Sequence, residues 1–164
     1  MKPLAITPAT KALDARGVRY SLHKFESSTT RGFGKEASTA MGLESTRIFK
    51  TILFSDSKDL VVGVSPVEWE ISTKKLAAAL GIRSLMPAAI ADAERATGYV
   101  VGGISPFGQK KLLRTVLDDS AWEFSTIFVS GGRRGLEIEI APDDLVTALD
   151  AIRAAIAAHE PATN

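Results

Sequence analysis

Residues 47–65 read RIFKTILFSDSKDLVVGVS, and the alternation in this stretch decides the fold class. In an extended chain Ile48, Lys50, Ile52 and Phe54 share one face by the period of two, and Phe49, Thr51 and Leu53 share the other. The polar DSKD is a turn, and LVVGVS after it is another strand. Working outward toward the N-terminus, VRYSLHKF (residues 18–25) sets Val18, Tyr20 and Leu22 against Arg19, Ser21 and His23, again a strand pattern. Before it, Thr7 and Pro8 read as N-cap and first helical position, with Gly17 as the stop. A glycine-marked stretch around Gly32 and Gly34 leads into a short helix, KEASTAM, ending at Gly42.

Toward the C-terminus, Ser72 caps a helix through Leu76 and Leu80 that Gly81 ends. Residues 82–86 read as a short strand, and Pro87 opens a helix, AAIADAERAT, that Gly98 closes. Strands then dominate: YVV from 99, roughly 113–117, TIFVS at 126–130, and LEIEI at 136–140 after the turn-like GGRRG. Pro142 opens a last helix in which Leu145, Leu149, Ile152 and Ile156 form one buried stripe. The tail after His159 is expected to fray. Helices and strands interleave without strict alternation, so the expectation is an α+β fold: one domain over residues 1–164, a mixed sheet or barrel packed by helices.

Bulk composition narrows the function classes. With 45% hydrophobic and 24% charged residues in 164, the chain suits one ordinary core. Apolar runs fall short of the roughly 18 residues a membrane span needs, and the start MKPLAITPATK carries no apolar secretory core. Neither a membrane nor export is expected. The absence of cysteine excludes a disulfide framework and fits a cytoplasmic location. A net charge of +1 argues against gripping DNA or long RNA through the overall field, and leaves open a single RNA end in a local pocket.

Elimination narrows the chemistry. Without cysteine there is no protein thiol nucleophile. Of the two histidines, His159 lies in the tail and His23 on a strand face expected to be solvated. No serine sits in a GxSxG elbow, so a catalytic triad lacks its parts. Zinc sites draw on cysteine and several histidines, and no metal or other cofactor is expected. VGGISPFGQKK (residues 101–111) lacks the Gly-Lys-Ser/Thr ending of a phosphate loop. Activity must come from backbone donors, lysine, carboxylates, hydroxyls, or the substrate itself.

Three features can supply it. Lys50, on an apolar row, either reaches solvent at an edge or grips a phosphate or carbonyl in a pocket. In GGISPFG, Gly102 and Gly103 leave amide N–H groups unobstructed and Pro106 stiffens the loop, either as an oxyanion-binding turn or as a plain tight one. In SGGRRGLEIE (residues 130–139) a second glycine pair recurs. Glu137 and Glu139 project opposite to Leu136, Ile138 and Ile140, onto either a solvated face or a pocket where a carboxylate orients an amine or a water.

Read together, TPATKAL, FKTIL with Lys50, TGYVVGGISPFGQKK and FSTIFVSGGRRGLEIEIAPDDL resemble the YbaK/EbsC family of bacterial aminoacyl-tRNA deacylases, related to the editing insertion of prolyl-tRNA synthetase. The resemblance covers roughly residues 7 to 156, and the GGxSPxGQKK and VSGGxRGL strings are its specific part. It implies a barrel-like editing fold and trans-editing of Cys-tRNA(Pro), with the cysteine-charged acceptor end of tRNA(Pro) as partner and a transient complex with prolyl-tRNA synthetase. It places Lys50, Gly102, Gly103 and Gly131 at the reacting ester, and Phe25, Ser105, Pro106, Ser130, Gly132 and Glu137 around the substrate.

Two positions depart from the family pattern. Phe25 stands where it has a tyrosine, so no ring hydroxyl can bond there. Glu137 stands where it has an aspartate, keeping the charge and reaching a methylene further. The implied mechanism is attack by the substrate's own cysteine thiol on its ester carbonyl, with backbone N–H groups holding the oxyanion. Deacylation of another misacylated tRNA, such as Ala-tRNA(Pro), and a tRNA-end or nucleotide-binding module without turnover are the competing expectations.

Overall fold

The computed structural model describes residues 6–25, 39 and 41–158. Among the described residues the named elements are eight strands and four α-helices, an α+β fold as the sequence leads one to expect. The stretch 47–65 forms its centre: β2 (Phe49–Ser55) and β3 (Leu60–Pro66) pair antiparallel across the DSKD turn. Phe49 and Leu53 point into the main core, while Ile48 and Phe54 on the lysine row are buried in two smaller clusters.

The strands divide into two sheets. One is antiparallel and runs β1 (Ser21–Lys24), β7 (Leu136–Ile140), β6 (Ile127–Ser130); the other runs β4 (Met86–Pro87), β2, β3, β5 (Thr115–Asp118), β8 (Ile152–Ala154). A parallel bridge from Ile48 to Phe128 joins them, so β6 abuts the start of β2 and the assembly curves as a partial barrel. Inside it Val62, Val64, Leu117, Ile127, Val129, Ile138 and Leu145 are at most 1% exposed.

Helix α1 (Pro8–Ala15) begins as expected: Thr7 caps it, Thr10 completes a capping box, and Gly17 takes φ +67. The Thr7 hydroxyl also donates to the Gly131 carbonyl (2.7 Å), so the cap fastens the helix to the second glycine turn. Helix α2 (Thr73–Leu80) has its Ser72 cap and left-handed Gly81 stop. The expected helix at 35–41 and the tail after 159 lie almost wholly outside the described residues.

Several expectations need correction. Strand β1 is confined to Ser21–Lys24; residues 18–20 lead into it without pairing. Residues 82–86 do not form a strand beyond Met86, and Pro87, expected to open a helix, pairs with Phe54 on β2 instead. Helix α3 (Ile90–Thr97) therefore starts later, from an Ala89 that makes no side-chain cap. YVV at 99 is not a strand, because the chain turns there so that the Gly103 amide bonds the Val100 carbonyl (2.9 Å).

The last helix, α4 (Pro142–Leu149), stops at Asp150 in the left-handed region, and Ile152 and Ile156 belong to the following extended segment. Buried Asp118 captures that segment by accepting from the Ile156 and Ala157 amides (2.7 and 2.9 Å). A carboxylate with two backbone donors outweighs one more helical turn.

Candidate active site

One edge of β2 is paired along its length with β3, Lys50 standing opposite Ser65. The other edge is held at two places, where the Phe128 amide donates to the Arg47 carbonyl (3.1 Å) and the Ala88 amide to the Leu53 carbonyl (3.0 Å). Between them no strand covers it among the described residues. The Val67 amide bonds the Ile48 carbonyl (2.8 Å), which directs the even-numbered backbone groups at β3. By ladder alternation the Thr51 amide and carbonyl then face the gap. That gap is a cavity of about 320 Å³, at the small end of the roughly 300–1,000 Å³ of ligand sites.

Apolar side chains dominate its wall: Phe49 and Leu53 inside, with Ile52, Ile90 and Val101 exposed around the mouth. Among the described residues its ionisable lining groups are Lys50, Arg134 and Glu137. Glu137 is 8% exposed and its Oε1 has no hydrogen-bond partner among the described residues; the same holds for the Thr51 hydroxyl. Burial pushes the Glu137 carboxyl up to about 8, so it carries a proton at neutral pH. Of the two expected settings for Glu137, the pocket is the observed one.

Its strand-mate Glu139 is spent elsewhere. It accepts from the Thr126 hydroxyl (2.6 Å), and His23 Nε2 and Arg47 Nη2 lie 2.9 and 3.4 Å from its oxygens. The Thr126 bond leads the groups that hold its carboxyl below the ordinary value. His23, expected on a solvated face, is 37% exposed and also packs edge-on to Phe128 in this cluster.

Of the residues singled out in the sequence, Lys50, Phe25, Gly102, Ser130 and Glu137 line the cavity together. Five others do not. The Gly103 amide is committed to Val100 and the Gly131 amide to the Leu136 carbonyl (2.8 Å), which removes both from the set of oxyanion donors. The glycines there serve close packing: a Cβ on Gly103 would stand 2.6 Å from the Arg133 Cα, and one on Gly131 2.8 Å from Leu136. Gly132 donates to the Ser130 hydroxyl (3.2 Å) and presses on Tyr99 and Thr7.

Ser105 is fully buried, its hydroxyl accepting from the Phe107 amide (3.2 Å). Pro106 lines a separate cavity of about 190 Å³ near the end of α1. Gly102, at φ +97, remains: its amide makes no hydrogen bond among the described residues. Thr51 and Arg134 were not singled out. Nothing in a strand's alternation marks which of its edges stays open, and Arg134 reads as part of a turn.

The fold is thus an α+β partial barrel whose open-mouthed, mostly apolar cavity is lined by two cations and one buried acid. The family model for the aminoacyl-tRNA editing domain matches residues 30–148. Enterococcus faecalis EbsC, whose name gives it as a Cys-tRNA(Pro)/Cys-tRNA(Cys) deacylase, is 36% identical over 142 residues, 86% of this chain and 87% of that protein. In fold, the chain is similar to a solved protein described as a trans-editing enzyme for prolyl tRNA synthetase (TM-score 0.82, 22% identity, 94% of this chain and 100% of that one). It is equally similar to a scaffold used for computational epitope grafting (TM-score 0.83, 22% identity, 93% and 96%). This chain belongs to the aminoacyl-tRNA editing domain family, within its YbaK/EbsC branch. Among the described residues no helix is long and apolar enough to cross a membrane, and no acid or histidine cluster could hold a metal.

Proposed function

We propose that this chain is a trans-editing deacylase that removes cysteine from mischarged Cys-tRNA(Pro), using the thiol of the substrate as nucleophile. The observation that carries this reading is the chemistry of the cavity wall, which among the described residues includes no cysteine and no histidine. Among the described residues its side-chain hydroxyls are those of Thr51 and Ser130, and Ser130 already accepts from the Gly132 amide. An attacking atom must then come from the substrate or from water.

The cysteine sulfur, as thiolate, attacks the ester carbonyl. The carbon–oxygen bond to the ribose breaks, the proton lost by the thiol ends on the ribose oxygen, and water later opens the cyclic thiolactone to free cysteine. A thiol of pKa near ~8.5 is a few per cent ionised at pH 7, and holding it against the carbonyl makes that fraction sufficient. The Gly102 amide is the donor for the oxyanion, worth roughly 3–4 kcal/mol where such donors have been removed. Lys50 holds the 3′ end of the tRNA, with Ser130 and Phe25 lining the acyl group.

Because EbsC is named for both Cys-tRNA(Pro) and Cys-tRNA(Cys), the deciding experiment is deacylation of Cys-tRNA(Pro), Cys-tRNA(Cys) and Ala-tRNA(Pro), with and without prolyl-tRNA synthetase. Cysteine is expected to be released, with the synthetase supplying selectivity for tRNA(Pro). Cleavage of the alanyl ester alone would overturn the substrate.

A further inference from the structure

The second cavity, of about 190 Å³, opens where α1, the end of α4 and the loop 106–113 meet. Its apolar lining includes Leu13 of α1, Phe107 of the loop and Leu149 of α4. Arg16, which caps the end of α1, and Lys111 of the loop line it too, and among the described residues no acid does. Both cations are exposed, and among the described residues neither side chain has a hydrogen-bond or ion-pair partner. Gln109 adds an amide whose Nε2 donates to the Ser105 carbonyl (2.9 Å), which fixes the side chain and leaves its oxygen as an acceptor. Leu112, also in the lining, is 96% exposed, an apolar side chain left in water beside the cavity.

Exposed cations are well solvated, so the charge alone selects nothing. Its union with an apolar cleft does. Two cations without an acid suit a phosphate better than a zwitterionic amino acid, whose ammonium would find no carboxylate there. The volume falls below the roughly 300–1,000 Å³ of whole-ligand sites, so the cleft admits one small planar or apolar group and leaves the anion outside, beside Arg16 and Lys111. A base joined to a phosphate has that division.

We propose that this second cavity is a nucleotide subsite, its apolar walls taking the base and Arg16 with Lys111 taking the phosphate. The same chemistry comes either from a free nucleoside monophosphate or from an unpaired nucleotide of a tRNA, and only the second source depends on the deacylase reading. For the tRNA it is a nucleotide near the charged end. Ile104 lines the first cavity and Pro106 the second, and two residues span at most about 7 Å, so the two linings adjoin along the loop.

The test titrates the full chain by calorimetry with AMP and CMP, and with adenosine and inorganic phosphate separately. Three variants are compared after circular dichroism has confirmed their folds: Arg16→Gln with Lys111→Gln, Ala12→Met, which fills the second cavity without touching its charges, and Lys50→Ala, which alters the first. The nucleotides should bind about tenfold or more tightly than adenosine or phosphate. The double variant and Ala12→Met should each weaken them by about tenfold or more, and Lys50→Ala should leave them unchanged. Deacylation separates the sources. If tRNA supplies the nucleotide, both second-cavity variants raise KM for Cys-tRNA(Pro) with kcat kept, and neither affects 3′-cysteinyl-adenosine, which lacks the rest of the RNA. If a free nucleotide does, KM is unchanged for both substrates. Phosphate bound as tightly as AMP, nucleotide binding lost with Lys50→Ala alone, or no saturable nucleotide binding together with an unchanged KM for Cys-tRNA(Pro) each overturns the proposal. Nucleotide binding at this cavity in a chain that leaves Cys-tRNA(Pro) intact would sink the deacylase reading and leave this inference standing.

Discussion

Gly103 lies so close to Arg133 that a Cβ on the glycine would stand 2.6 Å from the Arg133 Cα. The two glycine turns are therefore in backbone contact, and the cavity wall that Gly102 and Arg134 share depends on it. The Thr7 hydroxyl bonded to the Gly131 carbonyl ties the same contact to α1.

A graded response to alanine follows. Gly103→Ala should cost about 1–3 kcal/mol, because backbone must move to admit the methyl. Gly108→Ala should cost more, since φ is +68 and its Cβ would stand 2.3 Å from the Pro8 carbonyl oxygen. Gly17→Ala, at φ +67 with nothing within 4 Å, should lose only the strain of a left-handed residue, about 1 kcal/mol. Urea unfolding of the three variants checks the order, and equal losses would contradict the packing.

Glu137 gives stability a distinctive pH dependence. Its pKa rises from 4.5 in the unfolded chain to about 8 in the native one. Between those values the native state holds a proton that the unfolded state has lost, so ionising conditions favour unfolding. Stability should fall from about pH 4.5 to pH 8, by up to ~1.4 kcal/mol per pH unit. Glu137→Gln has no such proton, and melting curves at pH 5 and pH 8 should show a smaller drop for it than for the wild type. Parallel drops would mean that the carboxyl is solvated.

What the sequence made legible was local. Alternation in 47–65, the Thr7–Pro8 and Ser72 caps, and the glycine stops needed only neighbours a few residues apart, and the structure has them. Two of the misplacements came from distant partners. Pro87 was drawn into pairing by β2, and the end of α4 was captured by Asp118. Residue types in GGISPFG and SGGRRG marked the loops, but which amides stayed unbonded depended on Val100 and Leu136 carbonyls that no motif names. Lys50 could be singled out on its apolar row, and Glu137 only as one of two acids on a face either solvated or pocket-lining. That they share a cavity follows from an edge of β2 left open, which is a property of topology.

Lys50→Ala should reduce kcat/KM for deacylation by about a hundredfold or more while leaving the circular dichroism spectrum unchanged. Such a loss identifies the side chain as one that positions the tRNA terminus. Retained activity would make it a structural lysine facing the Ser65 strand.

The central claim is that the attacking atom belongs to the substrate, and the most direct measurement compares Cys-tRNA(Pro) with the same tRNA carrying S-methyl-cysteine. The methyl group keeps the amine, enlarges the side chain by one carbon and removes the nucleophile. Single-turnover deacylation should be rapid for the first and slower by about a hundredfold or more for the second. Equal rates on the two would contradict the account.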